Sequence, residues 1–169
     1  MTSAFRRIFV LYDAAIRWIA ILGATILFLS TFVVFADVVL RNAGTRGIIW
    51  QVEGVEYALF VSTFLLAPWV MAQGGHTRID ILLQHLSENG QRLVARVTSL
   101  LAAALCIGIA YYAAVESVSS FRRGVLIIKT LVVPEWMPIA IFAVSFALLS
   151  IEFMLRLTNY RSGQEAVSI

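Results

Sequence analysis

Four apolar stretches, each about long enough to cross a bilayer, take up most of this chain, and its charged residues gather at their ends. A hydrocarbon core ~30 Å thick takes about 20 helical residues, and a backbone within it must satisfy its own hydrogen bonds, so each stretch is constrained to be a helix. The stretches read as spans at about 18–40, 49–73, 93–117 and 134–157. Composition agrees: of 169 residues 60% are hydrophobic and 14% charged, and the mean hydropathy is +0.88, where soluble domains carry about a quarter charged residues. Little is left for a soluble domain. The net charge of +3 comes from Arg and Lys flanking apolar runs, with no basic block interleaved with aromatics, which suits anionic headgroups and excludes nucleic-acid binding. The one cysteine, Cys106, lies inside an apolar run and reads as a small core or lipid-facing residue, excluding a disulfide and paired-thiol chemistry. The start, "MTSAFRRIFVLYDAAIRW", is basic, but its apolar run is too long for a signal-peptide core, so it reads as a retained first helix.

The expected fold is all-α: an integral membrane bundle of four transmembrane helices, with a short interfacial amphipathic helix between helices 2 and 3. "RNAGTRG" should close the first helix, Gly74 and Gly75 the second, and Pro134 should open the fourth. Between the second and third spans, Thr77 and Asp80 can form a weak capping box, and Ile79, Leu82, Leu83 and Leu86 recur at helical spacing, which predicts the interfacial helix. "RRGVLIIKTLVV" is too short to cross and predicts a surface turn, and Pro68 should kink the second span. With an even number of spans both termini share a side. That side holds eight basic residues against five opposite, which places the termini and the 74–92 loop in the cytoplasm. Trp18, Trp50, Trp69 and Trp136 fall near predicted span ends, as interfacial anchors do.

Ionisable residues near the membrane carry the candidate chemistry. Asp37 and Arg41 are spaced i,i+4 at the end of the first span, as Glu152 and Arg156 are in the fourth, and such pairs neutralise each other at the interface. Glu116 has no local partner except Arg122 or Arg123 across the turn. Glu53 and Glu56 share one face at the start of the second span, where carboxylates favour a helix N-terminus or bind a cation. His76, Arg78 and Asp80 cluster after the second span and suit docking better than metal, since two histidines nine residues apart with one Asp make a poor preformed site. No cofactor is expected, because both histidines lie in a loop and a haem-binding bundle needs them inside the spans.

Trp50 followed by Glu53, a long apolar run, then His76, Arg78, Ile79 and Asp80, with "VVPEW" opening the fourth helix, resembles the small membrane subunit of tripartite ATP-independent periplasmic (TRAP) transporters, the DctQ-like family. Members often carry adjacent glutamates after the Trp, whereas Val52 occupies the first of those positions here. The resemblance implies a three-part importer in a bacterial inner membrane. A periplasmic substrate-binding protein captures a small organic anion, a large multi-span membrane subunit moves it with sodium, and the small subunit braces the large one. The implied partners are those two proteins and membrane lipids. Asp37, Arg41, Trp50, Glu53, Glu56, His76, Arg78, Asp80 and Trp136 then serve partner docking or interfacial anchoring, with no catalytic role.

Two other classes compete. A self-sufficient small exporter, working as a dimer, needs a carboxylate near mid-span, and a haem or enzyme subunit needs intramembrane histidines or cysteine pairs. The spans instead read as "ILGATILFLSTFVV" and "SLLAAALCIGIAYY" in their centres. Gly23, Ala102, Ala103, Ala104 and Gly108 are expected to let another membrane protein pack closely.

Overall fold

The computed structural model describes residues 3–73 and 88–157. Four helices long and apolar enough to span a membrane make up the fold: α1 (Ser3–Asn42), α2 (Gln51–Ala72), α3 (Glu88–Arg123) and α4 (Trp136–Leu157). Between α3 and α4 a small antiparallel hairpin, β1 (Leu126–Ile128) and β2 (Val132–Pro134), replaces the expected surface turn, with Ile127 opposite Val133. The β-branched residues on both arms suit that pairing. The expected interfacial helix lies outside the described residues.

Two helices are longer than the apolar pattern suggested. α1 is already helical at Ser3, because no Gly or Pro interrupts the Arg-bearing "FRRIFVLYDAAIR" ahead of the predicted span. α3 runs on to Arg123 for the same reason and stops at Gly124. There φ is +63°, the amide of Val125 donates to the Ser120 carbonyl, and that of Gly124 donates to Phe121. This is a Schellman closure, which a left-handed glycine permits.

The helices form a row in the order α1–α2–α4–α3, each packed mainly on its neighbours in that order. Sequence periodicity explains the two ends of the row. Among the described side chains of α1, the buried positions are Ile16, Ala20, Gly23, Ser30 and Asp37, a single stripe on one face, which gives that helix one main neighbour. On α3 the inward positions are Ala103, Cys106, Ala110, Ala113, Ser117 and Ser120, alternating three and four residues apart. All six are small, so α4 approaches closely without large interlocking side chains. The small residues expected to receive a partner thus serve partly inside the chain. A Cβ on Gly23 would lie 3.1 Å from that of Leu65, so this glycine sets the α1–α2 contact, and Ala103 lies in the α3–α4 seam.

Aromatic rings fill the central α2–α4 seam, with Phe64 edge-on to Phe142 at 4.9 Å and Phe142 against Phe146 at 4.6 Å. Beside them lies Pro68, which has no N–H to give the Phe64 carbonyl four residues back. Ser145 of α4 supplies the missing donor, its hydroxyl 2.5 Å from that carbonyl in a site where Ser145 is 2% exposed. α2 therefore keeps a continuous helix through its proline.

Level matching along the antiparallel α1–α2 pair fixes the tryptophan depths. Gly23 lies beside Leu65, which puts Trp18 near the level of Trp69, while Trp50 is about 20 residues, roughly 30 Å, away. That separation equals the hydrocarbon thickness, as paired aromatic belts require.

Candidate docking and anchoring site

At the hairpin end, three polar clusters tie the row together. Asp37 is buried, a position that a carboxylate holds only with full hydrogen bonding. One oxygen meets the Arg41 guanidinium at 2.7 Å, and the other accepts the Ile48 amide at 2.6 Å. The expected i,i+4 pair is therefore also the closure of the α1–α2 loop. Gly47 makes room for it: its φ is +72°, and a Cβ there would come within 2.6 Å of the Asp37 oxygen.

Glu53 and Glu56 form the second cluster. The Trp50 side chain makes no capping bond to α2, and Glu53 reaches outward to the hairpin tip. Its two oxygens accept the amides of Thr130 at 3.0 Å and Leu131 at 2.7 Å, while Glu56 accepts from the Lys129 ammonium at 3.3 Å. The Glu56 hydrogen bond and charge hold the Lys129 pKa above its usual value. Trp50 lies across Gly54, where a Cβ would meet its ring at 2.7 Å, and the Leu131 side chain approaches the same glycine. Two carboxylates one turn apart thus grip one β-turn as a hook and a strut, with an indole wedged beneath.

In the third cluster Ser120, fully buried, donates to Glu135 at 2.7 Å, and Ser117 donates to the Trp136 carbonyl at 3.0 Å. Trp136 meets Phe121 edge-on at 5.4 Å, which locks the α4 start against the α3 end. Glu116 does pair with Arg123, at 2.5 Å, along its own helix rather than across the turn.

The opposite end is joined differently. Arg156 donates to the Met71 carbonyl at 2.5 Å, satisfying the last turn of α2 with a cation where the helix dipole favours one, and Tyr12 donates to the Leu148 carbonyl at 3.2 Å. His76, Arg78 and Asp80 lie outside the described residues. Of the remaining expected site residues, Asp37 and Arg41 come together in one cluster, and Trp50, Glu53 and Glu56 in another, with Trp136 in the third. Sequence reasoning missed Gly47, Ser120, Glu135 and Lys129. Lys129 had a visible signal, being the only lysine in the chain and set in a short apolar hairpin. Gly47 and Ser120 had none, because their roles depend on loop path and helix register.

This arrangement is built to hold helix ends in place. A family model described as tripartite ATP-independent periplasmic transporters, DctQ component, matches residues 30–160. That segment contains all three clusters and all of α2, α3 and α4. No curated protein and no solved structure was found to match. With four helices able to cross a membrane and a family match over most of its length, this multi-pass chain belongs to the DctQ component family of TRAP transporters.

Proposed function

We propose that the chain is an accessory subunit that braces the large membrane subunit of a sodium-coupled importer of small organic anions, working with a periplasmic substrate-binding protein. The observation that carries this reading is the open row. Helices joined in a row rather than a closed bundle leave wide apolar surfaces, with Trp18, Phe28, Phe35 and Leu105 among the exposed side chains, and such a row suits a lateral support. The carboxylates at the hairpin end support it too: Asp37, Glu53, Glu56 and Glu135 bind groups of the same chain, so they serve shape. Trp50 and Trp136 anchor the row at the interface, and His76, Arg78 and Asp80 contribute docking at the other end.

In the bacterial inner membrane the eight-to-five basic bias puts both termini in the cytoplasm and the hairpin in the periplasm. Reporter fusions at Ile169 and Glu88 should then give cytoplasmic signals. The functional test is reconstitution. The chain alone in proteoliposomes should move no organic anion under a sodium gradient, and it should copurify with a large multi-span protein. Sodium-driven uptake by the chain alone would refute the accessory role.

A further inference from the structure

We propose that the furrow between α2, α3 and α4 is a binding site for one phospholipid of the hairpin-side leaflet, and that it selects phosphatidylethanolamine. The furrow is an open groove with about 720 Å³ of space along it, within the usual ~300–1,000 Å³ of small-molecule sites. Ala104 and Gly108 line it from α3, Phe60 from α2, and Ile139 and Phe142 from α4. Gly108 has open space where a side chain would be, which leaves room beside Leu105 and Tyr112.

Length argues for a lipid chain over a partner helix. From Ala104 to Glu116 is about 18 Å along the helix, close to half of a ~30 Å core and far short of a full crossing. A furrow that ends at mid-core matches an acyl chain anchored in one leaflet, whereas a transmembrane helix laid in it would be seated over only half its length.

Charge argues for the headgroup. Glu116 stands at the shallow end, beside the guanidinium of Arg123, and the two side chains are 54% and 55% exposed. A carboxylate has about four acceptor sites and a guanidinium five donors, so their mutual bond leaves both able to bind more. An ethanolamine headgroup presents the complementary pair, with a phosphate for Arg123 and, two carbons away, an ammonium for Glu116. Phosphatidylcholine has no N–H to donate to Glu116, and phosphatidylglycerol offers it no cation.

The test is native mass spectrometry of the full chain, equilibrated in detergent with equimolar phosphatidylethanolamine, phosphatidylcholine and phosphatidylglycerol. The wild type should retain phosphatidylethanolamine roughly fivefold over either competitor, the upper range for a half-exposed ion pair. Glu116→Gln, a surface change that spares the fold, should erase that preference. Gly108→Leu should fill the furrow and lower retention of all three lipids. Equal retention of the three by the wild type would overturn the proposal, as would an unchanged preference in Glu116→Gln or unchanged retention in Gly108→Leu with helicity intact.

Discussion

Removing the Ser145 hydroxyl should destabilise the chain, and most of the loss should disappear when Pro68 is replaced as well. In the wild type Ser145→Ala strips the donor from the Phe64 carbonyl, which Pro68 cannot satisfy, in a site closed to water. An interhelical hydrogen bond of this kind contributes ~0.6 kcal/mol on average and up to ~1.7 in membranes. An orphaned buried carbonyl costs ~1–3 kcal/mol, so the upper part of the first range is expected, about 1.5 kcal/mol. In a Pro68→Ala background the backbone amide restored at position 68 can donate to Phe64, and the same serine change should then cost only a few tenths of a kcal/mol for lost packing. The double-mutant cycle should therefore give a coupling of about 1 kcal/mol, read from equilibrium unfolding in mixed micelles. The cycle cancels whatever Pro68→Ala costs alone. An equal cost of Ser145→Ala in both backgrounds would refute the link between the proline and the serine.

Gly47→Ala should destabilise more than Gly44→Ala in thermal unfolding. Both have positive φ, worth about 1–2 kcal/mol of strain, but only at Gly47 would the new Cβ strike Asp37. Glu56→Gln should lower the Lys129 pKa toward the ordinary 10.5, followed by NMR of the ε-carbon. Because this pKa is raised by folding, the contact's contribution is complete below 10.5 and fades as pH climbs through the folded value. Weakening of the Glu56–Lys129 strut should thus be an alkaline effect, absent in Lys129→Met, while the Glu53 contacts persist. Glu53→Ala should free the hairpin tip, seen as faster amide exchange at Thr130 and Leu131 with helix content unchanged, since both amides lose their acceptor.

The helices were legible because apolar run length reports them directly. Their ends were less so: Arg6, Arg7 and Arg17 looked like flanks, yet polar residues continue a helix outside the bilayer when no Gly or Pro stops it. The hairpin was missed because three-residue arms carry too little alternation to separate a strand from a turn. Asp37 with Arg41 was readable from i,i+4 spacing. The grip of Glu53 on Thr130 was not, since 77 residues separate them and no local period encodes a contact of that range. The small residues were recognised as packing positions, but which helix they receive depends on the order of the row, and α3 turns its set toward α4.

The order of the row also bears on how the chain is made. α1 and α2 are contiguous in sequence and in space, as are α3 and α4, so each pair can leave the insertion machinery as a finished helical hairpin. α4, synthesised after the other three, provides the main packing that joins the two halves. Until it arrives, the Phe64 carbonyl has no donor and the Met71 carbonyl lacks Arg156, while Glu53 waits for the turn that immediately precedes α4. The ribosome therefore delivers the keystone after the other three helices, and a nascent chain halted before Trp136 lacks the helix that would draw its two halves together.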